Sequence, residues 1–154
     1  MTSFDAGRRA PEETVFYIRQ RSPLSPGIGI ILGSGLGEAA AFLNMSASFS
    51  YCELPNFPPS RVEGHAGKFL LGTYAERGIG LMQGRYHLYE GLTPAEVTYP
   101  VRVMGALGVR SLIVTTAAGG IHPDLIAGDL MLISDHINLS GVNPLVGEPT
   151  PAQQ

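Results

Sequence analysis

Two short apolar segments, each followed at once by a glycine-containing turn, constrain the fold of this chain most. The first runs from Gly27 to Leu32 and leads into a turn over residues 33–37. The second runs from Ser111 to Thr115 and leads into a turn over residues 116–120. Apolar runs of this length, bounded by turns, are typical of strands buried on both faces of a sheet. We therefore predict an α/β fold with ligands at the carboxyl ends of its strands.

The clearest helix signal lies between these two runs. Thr93 provides an N-cap, Pro94 follows it, Glu96 completes a capping box and Gly108 comes after the last turn, so the pattern predicts a helix over 93–107. The other predicted elements are a helix around residues 15–19, a helix over 38–43, a strand over 46–51, a β-hairpin of 68–74 and 79–83 around Glu76-Arg77-Gly78, and a third strand over 130–134. Together they indicate a mixed, largely parallel twisted central sheet flanked by helices.

Charge and cysteine content exclude several classes of function. The chain has 154 residues, which suits one domain or part of a larger one, and residues 1–13 are polar enough that we expect them to be flexible. Ten Lys and Arg residues against thirteen Asp and Glu residues give a net charge of −3. Such a balance argues against nucleic acid or a membrane as partner. A single cysteine, Cys52, and the lack of a signal peptide lead us to expect a cytoplasmic protein.

The turn Gly33-Ser34-Gly35-Leu36-Gly37 resembles two nucleotide-binding motifs but matches neither. Glu38 stands where the dinucleotide fingerprint needs a third small residue, and no Gly-Lys-Ser/Thr follows for a phosphate loop. Two interpretations remain open. The segment is either a tight connecting turn or a site for a small anion, built from the Ser34 hydroxyl and the N–H groups of a helix N-terminus.

Arg85 is the strongest candidate for binding an anion. It lies in an apolar neighbourhood, and a buried guanidinium needs a negatively charged partner. That partner is either Glu90, in an internal pair, or a phosphate held by two parallel hydrogen bonds. His87 and Tyr89 lie at a spacing of two along the same extended segment, so both can point where Arg85 points.

Other histidines and the second glycine turn have weaker signals. His65, in a glycine-rich setting, is either an ordinary exposed histidine or a mobile one that meets an anion. Ala117 can contribute only its backbone N–H, which an anion site after a buried strand would use. His122 and His136 are interpreted as structural.

Five motifs, in their order and spacing, resemble those of the trimeric purine nucleoside phosphorylases. They are Ile31-Leu32-Gly33-Ser34-Gly35-Leu36-Gly37, Glu63-Gly64-His65-Ala66-Gly67, Gln83-Gly84-Arg85-Tyr86-His87-Leu88-Tyr89-Glu90-Gly91, Ala117-Ala118-Gly119-Gly120 and Asp135-His136-Ile137-Asn138-Leu139. The resemblance covers about residues 14–154 and implies the amino-terminal part of a single nucleoside phosphorylase domain, whose fold is incomplete at the C-terminus.

The resemblance implies an enzyme that transfers a pentosyl group. Phosphate attacks C1′ of a purine (deoxy)ribonucleoside, giving the free base and (deoxy)ribose 1-phosphate, with no metal or organic cofactor. It also implies a homotrimer. By position, the residues that match phosphate contacts are Ser34, His65, Arg85, Tyr86, His87 and the amide of Ala117. Tyr89 matches the sugar contact, and His87 and Glu90 match the catalytic residues.

Two departures from the family pattern keep alternatives open. Thr116 stands where the 6-oxopurine branch usually has Asn and the methylthioadenosine phosphorylases often have Thr. One alternative is therefore a methylthioadenosine phosphorylase. The family's purine-binding residues would follow Gln154, so the second alternative is a non-catalytic phosphate-binding fragment. We expect the 154-residue chain alone to turn over nucleosides slowly, and to self-associate through the apolar faces of residues 27–32 and 111–115.

Overall fold

The structure is a computed structural model that describes residues 10–58 and 67–146. The chain divides into two compact units after Thr116. In order, the elements are α1 (Glu12–Arg19), β1 (Ile28–Leu32), β2 (Asn44–Ser50), β3 (Lys68–Tyr74), β4 (Arg77–Gln83), α2 (Pro94–Leu107) and β5 (Ser111–Val114). Three 3₁₀ helices cover Gly37–Phe42, Tyr51–Glu53 and Leu88–Glu90. All of these elements belong to the first unit.

The five strands form one mixed sheet with the order β2-β3-β4-β1-β5. The pairs β2–β3 and β3–β4 are antiparallel. Strand β1 lies between β4 and β5 and runs parallel to both, with Ile30 paired to Leu81 on one side and to Ile113 on the other. The predicted mixed α/β sheet is therefore confirmed.

Local signals located two elements closely. Helix α2 begins after Thr93, whose hydroxyl accepts a hydrogen bond from the Glu96 amide, and it ends at Gly108 with a φ of 112°. The predicted hairpin is formed by β3 and β4, but its turn lies at Ala75 and Glu76, with φ angles of 46° and 63°. The two left-handed residues match the right-handed twist of the flanking strands.

Two apolar clusters cover the two faces of the sheet. On one face, helices α1 and α2 pack over strand residues, because these amphipathic helices must bury their apolar sides. The buried members on this face include Ile18, Ile31, Phe69, Leu71, Met82, Val103, Met104 and Leu107. On the opposite face, the first 3₁₀ helix contributes Ala40 to a smaller cluster with Leu32, Leu70, Ile79 and Leu81.

Four aromatic rings connect the first face to the carboxyl end of β4. Phe57 lies between Tyr51 and Tyr99, with ring centroids 5.5 Å and 5.8 Å away. Tyr86 packs on Tyr51 at 5.3 Å. Burial raises the pKa of the Tyr51 phenol and, together with the nearby Tyr51 and Glu90, that of the Tyr86 phenol. These rings, called the aromatic cluster below, support the segment that follows β4.

Three predictions about individual elements were wrong. The helix predicted over 38–43 is a 3₁₀ helix over Gly37–Phe42 rather than an α-helix. Strand β5 is exposed along its length rather than buried, since it is the last strand of the sheet and pairs only with β1 in the described structure. Residues 130–134 form no strand, and the described part of the second unit, residues 117–146, contains no helix or strand.

The first prediction concerns alkaline stability. Unfolded phenols ionise near pH 10, whereas those of Tyr51 and Tyr86 resist ionisation in the fold. The unfolded state therefore releases protons first, and the unfolding free energy should fall as pH rises above about 10, by up to about 1.4 kcal/mol per pH unit for each phenol. Urea unfolding between pH 8 and 11 measures this slope. Tyr51→Phe should flatten it, and an unchanged slope would contradict the assignment.

The second prediction concerns the exposed edge strand. Leu112, Ile113 and Val114 are 40%, 51% and 62% exposed, and an apolar edge without charges is a template for pairing with another chain. Ile113→Lys should reduce self-association, measured by light scattering after size exclusion. Ser48→Lys, which places the same charge on the opposite edge strand, is the control. An equal effect of both substitutions would mean that β5 is not the associating edge.

Candidate active site

The carboxyl ends of three parallel strands meet at one edge of the sheet. Strands β4, β1 and β5 are neighbours there, in that order. The backbone continues from them into Gly84-Arg85, Gly33-Ser34 and Thr115-Thr116 respectively. Because the strands are parallel, segments far apart in sequence leave the sheet side by side. This edge is where open α/β sheets bind their ligands.

Thr115 joins two of these segments. Its hydroxyl accepts a hydrogen bond from the Gly33 amide at 2.8 Å and donates one to the Ile31 carbonyl at 3.1 Å. The Thr115 amide also donates to the Ile31 carbonyl, at 3.0 Å. The hydroxyl therefore extends the β1–β5 pairing by one residue and fixes the start of the Gly33 turn.

Arg85 joins the third segment to the same threonine. Its Nη1 donates to the Thr115 carbonyl at 2.7 Å, and its Nη2 lies 3.3 Å from the Thr116 hydroxyl. A Cβ on Gly33 would lie 2.6 Å from Arg85 Nη1 and 2.6 Å from the Thr115 carbonyl oxygen. Only glycine at position 33 leaves room for the guanidinium. Gly33 is therefore needed because the Arg85 side chain packs directly against the backbone of this turn.

The environment of Arg85 differs from the sequence-based expectation in two ways. The residue is half-buried rather than buried. Within the described ranges, no carboxylate lies within salt-bridge distance of its guanidinium, so the internal pair with Glu90 is absent. The two bonds to the threonines use two of the five N–H groups of the guanidinium. The others suit an anion.

Glu90 pairs with His87 instead. Its Oε1 accepts hydrogen bonds from the His87 amide at 2.8 Å and from the ring Nδ1 at 2.9 Å. The 3₁₀ turn Leu88–Glu90 brings the two residues together, since three residues complete one turn. The Glu90 side chain is only 4% exposed. The buried carboxylate and the half-buried imidazole thus fix each other's orientation.

Tyr86 and Tyr89 point to different surroundings. The Tyr86 ring is 4% exposed, and its hydroxyl donates to the Pro58 carbonyl at 2.8 Å. A phosphate contact at Tyr86 would therefore fall to its backbone. Tyr89 is 78% exposed and stacks on the His87 ring, with centroids 4.6 Å apart. Most of the Tyr89 side chain is therefore accessible to a ligand.

The remaining predicted residues are placed as follows. Ser34 is exposed in the turn after β1. Ala117 begins the second unit, and His65 lies outside the described residues. His122 is exposed and lies 3.7 Å from Asp124. The contacts of Ser34, His65 and Ala117 with phosphate stay predictions.

Sequence reasoning missed three residues that organise this edge. Thr115 bridges the strands, Tyr51 donates to the Gly84 carbonyl at 2.7 Å, and Gln83 donates to the Gly37 carbonyl at 2.9 Å. Thr115 and Gln83 end predicted strands, which is a weak signal. Nothing in the sequence around Tyr51 points to position 84, because that bond spans 33 residues.

In the ranges 10–58 and 67–146, no group of three or more His, Cys, Asp or Glu side chains is arranged to hold a metal ion. No helix in the same ranges has the length and apolar character needed to cross a membrane.

Comparison with known proteins shows the family to which this chain belongs. The sequence profile of the phosphorylase superfamily matches residues 27–154, and the chain belongs to that superfamily. Within it, the chain is similar to purine nucleoside phosphorylases. It is 53% identical over 136 residues to purine nucleoside phosphorylase 1 of Bacillus subtilis, a match that covers 88% of this chain and 50% of the relative.

Solved structures of similar proteins have the same fold. The crystal structure of isoform 2 of purine nucleoside phosphorylase from Schistosoma mansoni, in complex with cytosine and ribose-1-phosphate, is 43% identical with a TM-score of 0.84 over 94% of this chain and 52% of that one. A schistosoma enzyme in complex with hypoxanthine is 39% identical, also with a TM-score of 0.84, over 96% and 52%. This chain spans about half the length of these proteins.

The third prediction tests the close approach at Gly33. Gly33→Ala places a methyl group against both the Arg85 guanidinium and the Thr115 carbonyl, and such overpacking costs about 1–3 kcal/mol. Urea unfolding measures the loss. Gly37→Ala, whose added carbon would meet only Gln83 Nε2 at 3.8 Å, is the control and should change stability far less. Equal stabilities would show that Arg85 does not rest on Gly33.

Proposed function

We propose that this chain supplies the phosphate-binding part, and some of the sugar-binding part, of a purine nucleoside phosphorylase active site. The observation that carries the proposal is the guanidinium of Arg85, held at the meeting point of three parallel strand ends. It is fastened to neutral oxygens of Thr115 and Thr116. Its positive charge is therefore available for an anion, and bidentate geometry makes phosphate a good match.

The reaction needs a nucleophile and a stabilised sugar cation at the same place. Phosphate bound by Arg85, Ser34 and His87 would lie below the sugar, and one of its oxygens would attack C1′. As the bond from C1′ to the purine nitrogen breaks, its electron pair leaves with the base, which takes up a proton. A positioned dianion both supplies the nucleophile and stabilises the oxocarbenium-like transition state.

The other predicted residues have supporting roles in this proposal. Glu90 orients the His87 ring through the two bonds to its Oε1. Tyr89 meets the sugar, and His65 and the Ala117 amide complete the phosphate contacts. Tyr86 contributes through the backbone of the same segment.

Several finer statements belong to the same proposal. Residues 14–154 are the amino-terminal part of one nucleoside phosphorylase domain. Of the segment 1–13 that the sequence predicts to be flexible, residues 1–9 lie outside the described residues, and Glu12 and Glu13 belong to α1. The complete enzyme works in the cytoplasm as a homotrimer in purine salvage. Inorganic phosphate is a substrate, and no cofactor takes part.

The fourth prediction tests the phosphate site directly. Arg85→Ala removes a charged donor pair, and hydrogen bonds of charged groups contribute about 1.5–3 kcal/mol, so phosphate should bind at least tenfold more weakly. Calorimetric titration of the purified chain with phosphate measures the change. The matched control is Arg110→Ala, because Arg110 precedes β5 and so lies at the opposite end of the parallel strands.

Two outcomes would count against this function. Unchanged phosphate affinity in a folded Arg85→Ala protein would mean that the guanidinium only fastens the Thr115–Thr116 segment. An equal loss in Arg110→Ala would mean that phosphate responds to net charge rather than to a site.

A further inference from the structure

We propose that Tyr51 is a positioning residue for phosphate binding, because its phenol fixes the Gly84–Arg85 peptide and thereby aims the Arg85 guanidinium. This inference rests on the function proposed above. It assigns a role to a residue that lies outside the phosphate-binding motifs and 34 positions before Arg85. Tyr51 itself does not contact the ligand in this proposal.

The Gly84–Arg85 peptide follows a sharp bend in the backbone at the end of β4. Gly84 has a φ of 103°, in the region that glycine alone enters freely, so the backbone bends sharply directly after β4. The carbonyl of Gly84 and the amide of Arg85 share one peptide plane. A hydrogen bond to that carbonyl therefore fixes the direction of the Arg85 N–Cα bond and so limits the directions in which the side chain can leave the backbone.

Tyr51 is well suited to hold this plane. Its hydroxyl donates to the Gly84 carbonyl at 2.7 Å, and the residue is only 2% exposed. Its ring packs between Phe57 and Tyr86, with centroids 5.5 Å and 5.3 Å away. Its backbone amide also donates to the Gly67 carbonyl, at 2.8 Å. The Tyr51 hydroxyl thus has a fixed position in the core. Its hydrogen bond restrains the carbonyl of Gly84, a residue that would otherwise be flexible.

Arg85 is consequently held at both ends. The Tyr51 bond fixes its peptide, and the Thr115 carbonyl, 2.7 Å from Nη1, fixes its head group. A bidentate contact with phosphate needs the plane of the guanidinium to be aligned with two phosphate oxygens. Losing the peptide anchor leaves the charge in place but lets that plane vary, so affinity should fall without being abolished.

The test compares two buried tyrosines of the same aromatic cluster. Tyr51→Phe removes the bond to Gly84, whereas Tyr99→Phe removes a bond of the same length, 2.7 Å, to the hydroxyl of Thr14 in helix α1. Both keep their rings, and circular dichroism checks that both variants are folded. We expect Tyr51→Phe to bind inorganic phosphate about three- to tenfold more weakly in calorimetry, and Tyr99→Phe to bind it like the unmodified chain.

A double-mutant cycle then shows whether Tyr51 acts through Arg85. In an Arg85→Ala background, adding Tyr51→Phe should cause no further loss of phosphate affinity, measured by phosphorus NMR into the millimolar range. Gly84→Ala disturbs the same peptide through its strained φ and should also weaken binding. It serves as the second variant should Tyr51→Phe fail to fold.

The outcomes separate this inference from the proposed function. Equal affinities of Tyr51→Phe and Tyr99→Phe, or additive losses in the cycle, would overturn the role of Tyr51 and leave the phosphate site standing. Unchanged phosphate binding in Arg85→Ala would overturn both.

Discussion

The site depends on the parallel pairing of β1 with strands on both of its sides. This pairing brings the segments after β4, β1 and β5 to one edge of the sheet, although they lie more than 80 residues apart at their extremes. Thr115 then ties the β5 and β1 segments through its hydroxyl, and Arg85 ties the β4 segment to the Thr115 carbonyl. Without the pairing of β1 to β4 and β5, these contacts of Thr115 and Arg85 could not form.

A second layer of residues makes this arrangement rigid. The aromatic cluster lies behind the segment after β4, and two of its phenols donate to backbone carbonyls, Tyr51 to Gly84 and Tyr86 to Pro58. Buried phenols need such partners, since an unpaired hydroxyl in an apolar core costs free energy. The same bonds that satisfy the core therefore position the backbone of the site. Tyr51 and Tyr86 thus both pack in the core and hold the backbone near the candidate site.

The strand order that positions the site also leaves β5 exposed at the end of the sheet. A strand that lies at the end of a sheet, with one neighbour among the described strands, leaves its apolar side chains in solvent. Such an apolar run is typical of an interior strand. The purine nucleoside phosphorylases to which the chain is similar are about twice as long. In this chain β5 carries three consecutive apolar side chains, Leu112, Ile113 and Val114, that are 40% to 62% exposed.

Local chemistry allowed several elements to be predicted from the sequence. Helix α2 follows from Thr93, Glu96 and Gly108, which act within a few residues of one another. The strands β1 and β5 and the β3–β4 hairpin follow from short apolar runs and their turns. The family motifs, which are also short, indicated the segments that we propose to bind phosphate.

The contacts made by those residues required the tertiary structure. The sequence makes Glu90 a candidate partner of Arg85. A 3₁₀ turn pairs it with His87 instead, because residues three positions apart in such a turn lie on the same side. Strand order decides that Arg85 meets Thr115, 30 residues away. By itself, the sequence determined which side chains and turns are present, since those depend on near neighbours. Only the packed sheet decided which of them meet, because pairing between distant strands depends on the whole core.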